Sequence, residues 1–432
     1  AKKWLEQDGK KWIAFFQDTN GLVFHSMSAA LGVSALRDFD ANSIAGPRLA
    51  KAAQGAIVRL EKKNEKDGAA ASASASASAS ATFASSASSP SSPSPSTTSI
   101  TCNVEYNLLD PMLRAANNGT AFPDGDVNLA DTGVSPFPGN MNQLGFKLST
   151  YVETLARCGG IVPEFVNPKY VDASRTAFKK PTRLECMMQD LPRQLPPGSN
   201  VGFTTVSGGG DGPDGGRGMD CIRFYSPVKN NVVDAAKKQR AGGSAACASS
   251  GEAQVYETTC RLLRGVGVDL VAGVASDGGR GGGAHGDAQE LSIKEADEVN
   301  DDVTKKSHDS YLVKEWLGIR VRESPRVVLP PQCSLTSDWC RACFQGNVTL
   351  TQRSTLLVKG EGNVVFRGNV VVDGALVVET GAEGEVVTVE DVEVRNKGWT
   401  FEPLEEDGAP EQWPEYVKIR GYHIVKHETT TI

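Results

Sequence analysis

The chain has 432 residues, a formal net charge of −7 and a hydrophobic fraction of 39%, enough for a sizeable core and, on length, two or three domains. No Lys/Arg cluster stands out and no apolar run approaches bilayer length, so neither nucleic acid nor membrane is an expected partner. Nine cysteines, an odd number at scattered positions, read as reduced thiols of a cytoplasmic protein, and the opening Ala1-Lys2-Lys3-Trp4 has no apolar signal core.

Trp12 to Phe16 is a short continuous apolar run, the pattern of a strand covered on both faces in a parallel sheet. It stops at Gln17-Asp18-Thr19-Asn20-Gly21, polar and rich in turn formers. Ligands of open α/β sheets bind beyond the carboxyl ends of strands, where a carboxylate such as Asp18 can hold a hard divalent cation. Asp18 and Asn20 equally suit a plain strand-to-loop turn.

Downstream, Ser43 to Leu60 reads as helical, with Pro47 near its start. Residues 69–99 are an Ala/Ser tract passing into Ser/Pro, which cannot bury a core and is expected to be disordered. In Asn103-Val104-Glu105-Tyr106-Asn107 a β-branched and aromatic run places Glu105 on a strand, either as an acceptor of sugar hydroxyls or as an ordinary half-exposed glutamate. The segments 122–128 (FPDGDVN) and 135–144 (SPFPGNMNQL) are turn-rich, with Asn140 after Gly139. Thr150 to Cys158 has helical spacing and ends at Gly159-Gly160.

Residues 177–190 combine Lys179, Lys180 and Arg183 with Glu185, and the segment 225–231 (YSPVKNN) sets Lys229 after a Pro-fixed extended stretch, where it is either a point charge for phosphates or a solvated surface group. Low-complexity stretches at 208–218, 241–251 and 276–309 read, with 69–99, as loop expansions. The Gly-rich 208–218 lacks a flanking strand and helix and a Gly-Lys-Ser/Thr ending, so it is no phosphate loop. Cys340-Arg-Ala-Cys343 with Cys333 lacks a fourth partner at zinc spacing.

The last stretch repeats. Val358, Val364, Val370 and Leu376 recur every sixth residue, as do Phe366, Val372 and Val378, and Gly362, Gly368 and Gly374; the first series runs on through Ala382 and Thr388 to Val394. That period with a turn glycine favours a β-helix over a plain antiparallel sheet.

Taken in order, QDTNGLVFH, NVEYN, FPDGDVN, SPFPGNMNQL, EFVNPKY, AFKKPTRLECMMQD, SPVKNN and NKGWTFEPL resemble the blocks of UDP-sugar pyrophosphorylases over a little more than half the chain. The resemblance implies an α/β fold: a Rossmann-like nucleotidyltransferase domain at 1–345, incomplete at its N-terminus, and a C-terminal β-helix at 346–432. It implies a Mg²⁺-dependent reaction of UTP with a sugar 1-phosphate, giving UDP-sugar and pyrophosphate with broad sugar specificity. On this carry-over Asp18 holds the metal, Lys229 stabilises the phosphates, and Glu105 and Asn140 bind sugar hydroxyls. Asn20, Lys179 and Glu185 are further substrate-contact candidates, and the protein is expected as a monomer or weak oligomer.

The family's glycine-rich nucleotide loop, its uridine-contacting residues and a Gly-His-Gly-Asp motif precede the QDTNG block and are absent here. The chain therefore reads as the downstream part of a longer protein, inactive on its own. The competing readings are a narrower UDP-glucose or UDP-N-acetylhexosamine pyrophosphorylase, and a non-catalytic sugar-nucleotide-binding or assembly protein.

Overall fold

The computed structural model describes residues 1–52, 54–63, 76–77, 97–166, 170–172, 174, 176–182, 184–205, 225–271, 313–404 and 413–432. The low-complexity stretches 208–218 and 276–309, and most of 69–99, lie outside them. The chain divides into two compact units, Ala1–Gln17 with Ser26–Arg223, and Asp18–His25 with Phe224–Ile432. Residues 224–345, expected with the catalytic domain, fall in the unit that carries the C-terminal strands.

The first unit is α/β. At the centre of its sheet is Gly139–Lys147, almost wholly buried, flanked by Ala41–Gly46 and by Ala56–Lys63 and Trp12–Phe15. Among the described pairings of this sheet, Ala41–Gly46 with Val201–Thr205 is parallel and the others are antiparallel. The opening strand differs from expectation: Trp12–Phe15 pairs antiparallel with Gly139–Lys147 and is half-buried throughout, not enclosed in a parallel sheet. A continuous apolar run does not distinguish these placements, because it carries no face preference.

The expected helix at Ser43 to Leu60 is also corrected. Ala41–Gly46 is a fully buried strand, followed after Pro47 by a second strand, Ala56–Lys63. A residue before proline is biased to extended backbone, which ends a helix before it begins. Polar Asn42 tolerates burial because its amide donates to Ala30 O, Ser34 Oγ and Thr204 Oγ1, each at 2.9 Å. The helix lies earlier, at Val23–Arg37, and Ser26 and Ser34 disguise its buried face. Thr150 to Cys158 is helical as expected, within Leu148–Cys158, and Gly159 ends it in the left-handed region at φ 64°. Leu144, Phe146, Leu148, Tyr151 and Leu191 form one core of this unit.

The stretch 241–251 is not a loop expansion. Ala241 closes the helix Val232–Arg240, Ala245 and Cys247 are buried, and the Cys247 N–H donates to Ser250 Oγ (3.0 Å) to start the helix Ala248–Gly265. Small residues here make close packing, which composition alone mistook for filler.

In the second unit successive short strands visit three parallel sheets in rotation. Asn347–Thr351 pairs with Asn369–Asp373 and that with Glu393–Arg395; Thr355–Lys359 pairs with Ala375–Glu379; Asn363–Arg367 pairs with Val386–Glu390. Val364, Val370, Leu376, Phe366, Val372 and Val378 are buried in one core. Gly368 (φ 60°) and Gly374 (φ 135°) need to be glycine, since a Cβ would meet Asp391 Oδ1 at 2.1 Å and Asn396 Oδ1 at 2.1 Å. The six-residue phase does not run on through Ala382 and Thr388. Both are exposed while Val387 is half-buried and Val389 buried, because the turn at 380–385 is longer and a one-residue slip exchanges the faces of a strand. Among the described residues no helix is long and apolar enough to cross a membrane.

Candidate functional site

Two groups of the sequence-selected residues are assembled, one in each unit. In the second, the backbone N–H of Val228 donates to Thr19 O (3.0 Å), and Asn20 pairs with Pro227 in an isolated antiparallel bridge. Asn20 is 1% exposed, and its Oδ1 accepts from the N–H groups of Ser226 (3.0 Å) and Leu22 (3.4 Å). The QDTNG and SPVKNN segments are therefore laced together by backbone and by one buried amide. Their charged members, Asp18 and Lys229, are both exposed.

Lys229 is set from below. Its N–H and that of Asn230 donate to Ala246 O (2.8 and 3.0 Å), and Asn231 caps the helix Val232–Arg240 by accepting from the Asp234 N–H at 2.9 Å. Its ammonium lies 3.3 Å from Tyr225 Oη and 5.8 Å from the ring centre. No hydrogen bond or ion pair engages the Asp18 carboxylate among the described residues. His25, closing the same segment, has its imidazole pushed below the ordinary range by burial, opposed by a hydrogen bond to the Ser334 backbone.

The group in the first unit is a closed network. Asn103 donates to Glu105 Oε1 (2.9 Å) and accepts from Asn140 Nδ2 (3.0 Å), while Asn140 Oδ1 accepts from the Asn142 N–H (2.9 Å). Asn103 and Asn140 are each 3% exposed, and Glu105 is half-buried. Glu105 is not on a strand: Thr97–Val104 ends before it, and it stands at the N-cap of the helix Tyr106–Ala115. Nor is Asn140 on a turn, since it begins the buried strand Gly139–Lys147 opposite Ala45.

The same unit holds a buried ion pair that sequence reasoning passed over. Arg48 Nη2 donates to both Asp126 oxygens (2.9 and 2.8 Å) and to Ser135 Oγ (3.0 Å), and its Nε donates to Phe137 O (3.2 Å). It ties the FPDGDVN and SPFPGN segments to the sheet. Gly55 was also missed: a Cβ there would stand 2.5 Å from Asn103 Oδ1 and 3.2 Å from Glu105 Oε1. The available signal was the pairing of charged and glycine residues with Pro47, read instead as a helix.

Lys179 and Glu185 join neither group through any hydrogen bond among the described residues. Lys179 is exposed, and Glu185 is exposed on Leu184–Cys186, a strand paired with Glu164–Val166.

No protein-family model matches the chain. The UDP-sugar pyrophosphorylase of Arabidopsis thaliana is 36% identical over 426 residues, covering 99% of this chain and 54% of that protein. That of Oryza sativa subsp. japonica is 35% identical over 420 residues, covering 97% of this chain and 53% of that protein. The chain thus spans about half the length of the curated relatives it matches. Among solved structures, a variant UDP-glucose pyrophosphorylase from Leishmania major covers 90% of this chain and 59% of its own at 13% identity and a TM-score of 0.32, too weak a likeness to carry weight. Along nearly its whole length the chain is thus similar in sequence to about half of each of these UDP-sugar pyrophosphorylases.

Proposed function

We propose that a protein carrying this chain transfers a uridylyl group from UTP to a monosaccharide 1-phosphate, with broad sugar acceptance, releasing pyrophosphate. The observation that carries this reading is the 36% identity over 99% of the chain to a protein named UDP-sugar pyrophosphorylase. The meeting of the QDTNG and SPVKNN segments supports it, because it presents a carboxylate and an ammonium from neighbouring backbone. In-line attack of a sugar phosphate oxygen on the α-phosphorus depends on positioning and charge neutralisation, so no covalent nucleophile is needed.

In this reading Lys229 neutralises phosphate charge, and Asp18 takes Mg²⁺. An exposed carboxylate without a partner among the described residues fits an ion held mainly by substrate phosphates and water. When bound, such an ion offsets the negative charge of the phosphates. Glu105 receives sugar hydroxyls, with Asn103 and Asn140 fixing its direction. Asn20 serves by clamping the two segments, and Lys179 and Glu185 remain peripheral candidates. The same reading takes the rotating parallel strands as a β-helix, which the registers Val348 to Val370 and Val364 to Val387 support.

The test is to supply a purified full-length protein carrying this chain with UTP, Mg²⁺ and, in parallel, the 1-phosphates of glucose, galactose, xylose, arabinose and glucuronic acid, measuring UDP-sugar and pyrophosphate. Several sugars should be accepted. Turnover of one alone would narrow the assignment, and turnover of none would sink it.

A further inference from the structure

Outside the candidate site, the second unit contains two thiols with no assigned role. Cys333 lies on the single helical turn Pro331–Ser334 and Cys343 ends the helix Ser337–Cys343 that follows. Their sulfur atoms are 2.8 Å apart, and both are free thiols. We propose that Cys333 and Cys343 are a dithiol–disulfide couple, oxidised by small hydroperoxides that enter the groove beside Cys343.

Geometry supplies three supports. The sulfurs stand within about 0.8 Å of the 2.03–2.05 Å bonding distance, so closure asks for a small movement of a one-turn helix. A groove of about 340 Å³ is lined by Cys343 together with Gln332, Trp339, Asn363 and Val365, which brings space for a small oxidant up to this residue. Cys333 is not among the lining residues and is 0% exposed, so the two thiols have separate roles: one meets the oxidant, the other resolves. The hydrogen bond between them holds the Cys343 thiol below its ordinary value and the Cys333 thiol above it, and thiolate is the attacking form. Cys340, another thiol of this core, is 0% exposed and pushed up to about 12 by burial.

The chemistry balances as a two-electron oxidation. The Cys343 thiolate attacks one peroxide oxygen and breaks the O–O bond, giving Cys343 sulfenic acid and a hydroxide, or alkoxide from an organic hydroperoxide, that takes up a proton. Cys333 sulfur then attacks the sulfenic sulfur and forms the S–S bond; its own proton leaves with the displaced hydroxide as water. Each turn oxidises two thiols and reduces one hydroperoxide, and an external dithiol restores the pair by exchange.

The test is peptide mapping. The purified protein is treated with a small excess of hydrogen peroxide at neutral pH, alkylated, and digested with trypsin, which cuts at Arg326, Arg341 and Arg353 and so separates Cys343 from Cys333. The expected product is peptide 327–341 joined to 342–353, lighter by two hydrogens than the two peptides and separable by reductant. It should persist in Cys340→Ser and vanish in Cys333→Ser. Full alkylation of Cys343 after peroxide, its recovery as sulfinic acid without a link, or a link that survives Cys333→Ser would overturn the proposal. Should a variant fail to fold, fragmentation of the linked wild-type peptide still decides, since it places the bond at Cys333 or at Cys340 within 327–341, and a bond at Cys340 or no linked peptide rejects the couple.

Discussion

The two candidate groups hold their functional side chains by opposite means. Asn103, Glu105 and Asn140 form a chain of side-chain hydrogen bonds, in which the two amides are nearly inaccessible to solvent. Asp18 and Lys229 are exposed, and it is their backbone that is pinned, through Thr19, Asn20, Val228 and Ala246. A hydroxyl is recognised through direction, so its partner needs a fixed orientation. Phosphate charge is recognised by a compact cation with little directional demand, so a mobile ammonium on a fixed backbone suffices. The first group should therefore report mutations as stability, and the second as activity.

The largest break is expected at the buried ion pair of the first unit. Asp126→Asn leaves the Arg48 guanidinium buried, since the Arg48 side chain is 0% exposed and that of Asp126 1%. Denaturant unfolding should show a loss of about 3–5 kcal/mol, the usual consequence of orphaning one partner of a buried ion pair. A loss under about 1 kcal/mol would mean that the network is wetter than its geometry.

Next come the exposed charges. Lys229→Ala should lower kcat by about 10²–10³-fold, as loss of one charge-stabilising donor does. Its unfolding free energy should move by no more than about 0.5 kcal/mol. Asp18→Asn should weaken the response of activity to Mg²⁺ with the same small effect on stability, because a neutral amide holds the cation poorly. An unchanged Mg²⁺ titration removes Asp18 from the metal.

A third variant tests whether direction matters in the first group. Asn103→Ala strips Glu105 of its donor and Asn140 of its acceptor, and should cost about 1–3 kcal/mol of stability. It should also raise KM for the sugar 1-phosphate more than KM for UTP. Equal changes in both would argue against Glu105 as a sugar contact.

The smallest effect belongs to a pair on the parallel sheets, Arg353 exposed and Asp373 half-buried. The hydrogen bond from Arg353 holds the Asp373 carboxyl below its ordinary range. A depressed carboxylate stabilises the fold above its unfolded pKa and loses that contribution as pH falls through the folded value. Arg353→Met should flatten this acid limb by under about 1 kcal/mol, measured by unfolding between neutral pH and acid.

Local signals were legible where the next few residues decide the structure. The helix at Leu148–Cys158 follows from apolar spacing and the glycine after it, and the turns at Gly368 and Gly374 from their interval. Sequence order also carried the resemblance to UDP-sugar pyrophosphorylases, because eight short blocks of unusual composition leave little room for chance. What the sequence could not settle were choices made by distant partners. Ala41–Gly46 is a strand because Gly139–Lys147 and Val201–Thr205 lie on either side of it. Glu105 is aimed by Asn103, and Asn103 is held by Asn140 from another strand. Backbone preference spans only a residue or two, whereas a sheet hydrogen bond or a buried ion pair is satisfied by whatever the fold brings opposite, and only the tertiary structure decided which residues those are.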